Sequence, residues 1–131
     1  MIVVDSSVWI DYFNGKKTPQ TDWLDSALGN TPLIMGDPVL TEVLQGFQSD
    51  EDFKIARDLL LGIPVMAMGG RALALQSAVN YRALRRKGVT VRKTIDVMIG
   101  TFCIHYRLPL LHDDRDFDPM VKFLGLKTIE T

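Results

Sequence analysis

The sequence predicts an α/β fold built on a mostly parallel sheet. Three observations carry this reading: short apolar runs without polar alternation, amphipathic segments between them, and turn or cap residues at the junctions. With 131 residues and 47% hydrophobic content, residues 1–131 suit a single domain that buries roughly two thirds of its unfolded surface.

The first run, Ile2-Val3-Val4, is β-branched and ends at Asp5, as expected of a strand buried on both faces. Val8, Trp9, Tyr12 and Phe13 then recur at helical spacing, and Asn14-Gly15 marks the stop. A second helix is expected over Thr21–Leu28, followed by a short strand at Leu33–Met35. Asp37-Pro38 reads as a cap and a first-turn proline, opening a helix whose apolar face is Val39, Leu40, Val43, Leu44 and Phe47. Residues 50–62 form another amphipathic helix, 63–68 a strand, and 70–88 a long helix closed by Gly88. A further helix runs from Thr94, read as its cap, to Tyr106. A fourth strand is expected within 108–114 and a short fifth within 126–131, so the sheet has four or five strands. No internal repeat or low-complexity segment interrupts this order.

Charge narrows the function classes. The 15 basic and 16 acidic residues nearly balance, so the whole-molecule field favours neither nucleic acid nor membrane, and a polyanion site must be local. Cys103 is the single cysteine, which excludes an intramolecular disulfide and fits a reducing compartment. Between Phe102 and Ile104 it reads as a small buried hydrophobe. The N-terminal apolar run stops at Val4 without a basic leader, and no segment approaches the ~20 apolar residues of a membrane helix. A cytoplasmic protein with no membrane partner is expected.

In open α/β sheets, ligands gather beyond the carboxyl ends of the strands. Asp5 sits at such an end, and so does "HDDRDFDP", where Asp113, Asp114, Asp116 and Asp118 crowd one short loop. Glu42 flanks the apolar face of its helix, and Asp96 occupies the first turn of the 94–106 helix. Each has an innocent reading: Asp5 a helix cap, Glu42 a solvated residue, Asp96 a partner of the helix dipole. Together they fall on one edge of the sheet. Two carboxylates ~4 Å apart repel by about 4 kcal/mol at an effective dielectric of 20, so gathering them calls for a cation. Carboxylate oxygens suit Mg2+ or Mn2+, while His105 and His112 are too few for a zinc site. His105 reads as a helix residue, and His112 as a neighbour of the acids. A calcium loop beginning at Asp114 fails, because Pro119 replaces the glycine and Gly125 the bidentate glutamate.

The pieces "IVVDSSVWIDYF", "GDPVLTEVLQG", "VRKTIDVMIGTFC" and "LLHDDRDFD", in that order, resemble the PIN-domain ribonucleases, specifically the VapC-type toxins of toxin-antitoxin pairs. The resemblance covers nearly the whole chain and implies a three-layer PIN-like α/β domain. Carried over, Asp5, Glu42, Asp96 and Asp114 match the acidic quartet, Asp116 a further acid near the metal, and Ser7 and Thr94 hydroxyl positions around it. The extra Asp113 leaves the fourth ligand open between Asp114 and Asp116. The resemblance also implies a homodimer and a cognate VapB-type antitoxin that inserts a basic side chain among the carboxylates.

No acid lies between Asp58 and Asp96, while Arg71, Arg82, Arg85, Arg86, Lys87, Arg92 and Lys93 all do. This stretch reads either as a solvated face or as a phosphate-binding track leading into the acids. Metal-assisted RNA hydrolysis is therefore expected. Asp5, Asp96 and Asp114 would bind Mg2+ or Mn2+, Glu42 would hold a water or a second ion, and Arg92, Lys93 and Arg86 would meet phosphate. A nucleophilic Ser6 or Ser7 lacks a histidine nearby in sequence. The rival readings are a phosphatase for small phosphate esters and a catalytically silent PIN-like RNA-binding module. A metal-holding Asp-x-Ser-x-Ser loop is disfavoured, because Trp9 stands at its second serine.

Overall fold

Val3 and Val4 lie side by side on β1 (Ile2–Val4) with side chains on opposite faces, yet both are fully buried in the computed structural model, which describes residues 1–131. The sheet is thus covered on both sides. From β1 the chain passes through α1 (Ser6–Phe13), α2 (Pro19–Ala27), β2 (Leu33–Gly36), α3 (Asp37–Gln45) and α4 (Asp50–Leu60). It continues through β3 (Val65–Met66), α5 (Arg71–Arg86), α6 (Thr94–Tyr106), β4 (Leu110–Leu111), a 3-10 turn (Arg115–Phe117) and α7 (Asp118–Leu124). The four strands are parallel in the order β3-β2-β1-β4, with Val3 opposite Ile34 on β2 and Leu110 on β4. α1 packs on α2 and α3, and α3 on α4; α5 packs on α6 and α7. The result is a three-layer α/β domain.

Local chemistry explains most boundaries. Trp9 is wholly buried and packs beside Phe13, which meets Phe47 edge-on at 5.5 Å and so ties α1 to the end of α3. α2 begins two residues earlier than its apolar pattern suggests. Thr18 and Thr21 cap each other's backbone amides, and Pro19 opens the first turn. α6 matches its expected span and ends at Arg107, which adopts a left-handed φ of 55°.

Several expectations are corrected. Asp37 is not the cap of α3: Gly36 holds that position, and Asp37 Oδ1 instead accepts the backbone N–H of Met68 at 3.1 Å. Gly36 lies against the Met68 side chain, so a larger residue there would displace it. Thr94 is the first residue of α6 rather than its cap; Lys93 takes the cap position and offers the helix no side-chain acceptor. The strand expected over 63–68 is only Val65–Met66, an edge strand with exposed side chains. The fifth strand reduces to one bridge between Thr128 and Leu110, because β4 offers just two residues to pair with. The acidic segment after β4 is not one loop. Asp114 caps the 3-10 turn, and Asp118-Pro119 opens α7, which Gly125 closes at φ 77°.

One buried polar pair joins the two helices behind the acidic edge. Asn80 of α5 donates through Nδ2 to Thr101 Oγ1 of α6 at 2.9 Å, and both residues are buried. Removing either partner strands the other. Asn80→Ala is expected to cost about 1–3 kcal/mol, and the Asn80→Ala/Thr101→Val pair less than the sum of its members. Urea denaturation of the four proteins measures this; strict additivity would refute the coupling.

Candidate metal centre

Asp5, Glu42 and Asp114 reach the site from the segments that follow β1, β2 and β4, and Asp96 from the first turn of α6, which follows α5. β1 hands over to α1 at Asp5, whose Oδ2 accepts the Ser7 N–H at 3.1 Å and the Ser7 hydroxyl at 2.6 Å. Asp5 is therefore a helix cap, but only through one oxygen. Its other oxygen, Oδ1, is buried without a hydrogen-bond partner. The Ser7 hydroxyl also accepts the Asp113 N–H at 3.2 Å, and the Asp5 N–H donates to Leu111 O at 2.9 Å. These bonds lock the end of β1 to the end of β4.

Glu42 projects from α3, half-buried, and accepts a 3.4 Å bond from the Ser6 hydroxyl. Burial, and next the negative charge of Asp5, hold its carboxyl above the usual range. Asp96, in the first turn of α6, is only 4% exposed. Burial first, then Asp5 and Asp114, raise its pKa to about 6 against the partial offset of Lys93. Asp96 Oδ2 has no hydrogen-bond donor at good geometry, only the Lys93 ammonium at 3.5 Å.

After β4, Asp114 Oδ1 caps the 3-10 turn by accepting the Asp116 N–H at 2.9 Å, which leaves Oδ2 facing Lys93 Nζ at 3.6 Å. Asp114 itself is oriented by its N–H, which donates to His112 Nδ1 at 3.2 Å. Asp116 is gripped on both oxygens by the Arg92 guanidinium at 2.9–3.1 Å. Burial works against the charge on Lys93, but Asp96 and Asp114 outweigh it and raise its pKa.

Asp96, Asp114 and Asp116 each bring a carboxylate oxygen within 4.8 Å of the others. Asp5 and Glu42 border this triplet without meeting that distance. The orphaned Oδ1 of Asp5 and Oδ2 of Asp96, buried beside an all-oxygen donor set, fit a hard divalent cation.

The PIN domain family profile matches residues 2–122. This chain belongs to the PIN domain family. "VapC ribonuclease Mb1587" of Mycobacterium bovis and "Ribonuclease VapC11" of Mycobacterium tuberculosis are each 28% identical to it over 129 residues, which cover 97% of this chain and 96% of theirs. Among solved structures, VapBC2 from Rickettsia felis bound to a promoter DNA fragment aligns with a TM-score of 0.78 at 16% identity, covering 98% of each chain. FitAcB from Neisseria gonorrhoeae aligns at 0.75 and 13% identity over 99% of this chain and 97% of that one. DNA-bound VapBC from Salmonella typhimurium aligns at 0.73 and 14% over 98% of each. At these identities the structures establish the fold.

In this PIN domain the remaining sequence-picked residues divide. Ser7 joins the acids directly through Asp5. Thr94 is exposed and lines a groove with Ala74, Tyr81, Arg82 and Met98, making no hydrogen bond to a carboxylate. Arg86 points along its own helix, donating to Arg82 O, where a cation in the last turn also complements the helix dipole. Asp113 is exposed, and only its backbone reaches the site. Arg115, which the sequence reading passed over, lines the cleft beside Asp96 and Asp116 with Arg92 and Lys93. Its signal was a lone cation inside an acidic run. No helix is long and apolar enough to cross a membrane.

Two stability predictions follow from the raised Asp96 carboxyl and the doubly used Asp5. The folded state holds the Asp96 proton more tightly than the unfolded chain, so ionising Asp96 destabilises the fold. The penalty is absent below pH 4, grows through the interval up to about pH 6, and is complete above it, on the order of 2–3 kcal/mol. Asp96→Asn in chelator is expected to gain stability over the parent across that interval; parallel urea titrations at pH 4.5 and pH 7 test it, and an unchanged difference would refute it. Asp5→Asn retains an acceptor for Ser7 while removing a buried charge, so it is expected to melt higher than the parent in chelator. Asp5→Ala, which loses the cap, is expected to cost about 1 kcal/mol relative to Asp5→Asn. Calorimetry that ranks Asp5→Asn below the parent would leave Asp5 as a cap alone.

Proposed function

We propose that this PIN domain is a metal-dependent endoribonuclease, the toxin of a toxin-antitoxin pair, acting in the cytoplasm as a single 1–131 domain. The observation that carries the reading is a buried carboxylate oxygen without a donor on each of Asp5 and Asp96, with a carboxylate oxygen of Asp114 within 4.8 Å of one on Asp96. Burying such oxygens is unfavourable unless a cation shares them. Relatives named VapC ribonuclease, and the VapBC complexes that share the fold, support an RNA substrate and a cognate VapB-type antitoxin; a homodimer is part of the same proposal.

Asp5, Asp96 and Asp114 would hold Mg2+ or Mn2+. Asp116, with both oxygens on Arg92, is less free to ligate than Asp114. When bound, such an ion supplies Lewis-acid stabilisation of the charge that develops on the phosphoryl oxygens. Glu42, half-buried and holding its proton to a higher pH than an ordinary glutamate, is the group to orient the attacking water and take its proton. Arg92, Lys93 and Arg86 provide cations for the flanking phosphates, while Ser7 keeps Asp5 in place.

RNA is expected to be cut in Mg2+ or Mn2+ and left intact in chelator, with Asp96→Asn at least ~100-fold slower. Arg86→Gln is expected to raise KM with kcat little changed, the effect fading at high salt. Gel assays of RNA cleavage, run beside phosphate release from nucleoside monophosphates, check these points. Full activity of Asp96→Asn would sink the assignment, and turnover confined to monophosphates would make the protein a phosphatase.

A further inference from the structure

The cap position of α6 carries a lysine, an odd choice on helix energetics. Lys93 has no side-chain acceptor for the exposed amides, and a cation at a helix N-terminus opposes the dipole. Its ammonium stands 3.5 Å from Asp96 Oδ2 and 3.6 Å from Asp114 Oδ2. The oxygen it meets on Asp96 is one of the two buried carboxylate oxygens that lack a hydrogen-bond donor. The adjacent Arg92 takes the third acid, Asp116, with a two-pronged grip. Two consecutive cations thus divide the three acids whose oxygens converge within 4.8 Å.

We propose that Lys93 is a resident counter-cation of the carboxylate site: it holds Asp96 and Asp114 together and competes with the divalent cation for the same two oxygens. This rests on the metal assignment made above. Two cations cannot share both oxygens closely without repelling one another, so an arriving divalent ion displaces the ammonium. The lysine stem is long, flexible and half-exposed, so the released ammonium is free to meet an anionic substrate. Metal and polyanion then both favour the same released state of Lys93, which couples their binding positively.

The test is Mn2+ binding measured by titration calorimetry, with thermal melts in chelator as a second readout. Lys93→Gln is expected to bind Mn2+ about 5- to 150-fold more tightly than the parent, and to melt a few degrees lower in chelator. Lys93→Met, which keeps the aliphatic stem, is expected to show the same gain and guards against a folding defect peculiar to glutamine. Lys93→Arg, which keeps the charge, is expected to stay near the parent. Lys87→Gln removes the same charge away from the acids, beside Phe123, and is expected to leave Mn2+ affinity near the parent. Equal Mn2+ affinity of the parent, Lys93→Gln and Lys93→Met overturns the inference, as does an equal gain in Lys87→Gln. Asp96→Asn separates the two levels. If it binds Mn2+ as tightly as the parent, the metal assignment itself fails; if it binds more weakly while Lys93→Gln is unchanged, only the competition fails.

Discussion

Buried like charge at the carboxyl edge of a parallel sheet is the constraint around which this molecule is arranged. Asp5 and Asp96 are almost wholly enclosed, Asp114 lies within their field, and burial lifts the carboxyl of Asp96 to about 6. A fold assembled only for stability would place apolar or hydrogen-bonded groups there. The rest of the structure makes such crowding sustainable. Two acids satisfy one oxygen each as caps, Asp5 for α1 and Asp114 for the 3-10 turn, so capping fixes each carboxylate while leaving its other oxygen toward the site.

The scaffold holds these caps in register. Parallel pairing of β1 with β2 and β4 aligns the ends from which Asp5, α3 and the post-β4 turn depart. Ser7 bridges Asp5 and the Asp113 backbone, so β1 and the outer strand β4 share a polar clasp at their common end. Behind it, Asn80 and Thr101 join α5 to α6, the helix that carries Asp96. The basic stretch ahead of α6 is part of the same arrangement, since Lys93 and Arg92 meet the acids directly while Arg85 and Arg86 remain on the surface of α5.

Much of the fold was legible because its signals are local. The apolar stripe of α3 and the span of α6 depend on side chains three and four residues apart, and β1 on its unalternating valines. Errors fell where a local signal had two physical uses. Asp37-Pro38 looks like a cap and a first-turn proline, yet the aspartate turns away to accept the Met68 amide, a partner 31 positions on. The same pair at Asp118-Pro119 opens α7, but the crowd of acids before it drew the reading toward a loop. Thr94 is a good cap by residue type and was displaced from that role because Lys93, extended and turned to the acids, ends the preceding segment.

The α/β class, the acids eligible for the site, and the cation-rich, acid-free stretch that approaches them are all readable along the chain. Helical periodicity, β-branching and composition act over a few residues and need no knowledge of what lies opposite. Which oxygens face one another follows from the folded chain alone. Arg92 and Asp116 are separated by 24 positions and Ser7 and Asp113 by 106, and only the β3-β2-β1-β4 strand order brings such residues together. Electrostatic interaction depends on distance and burial, and neither is encoded by spacing along the chain.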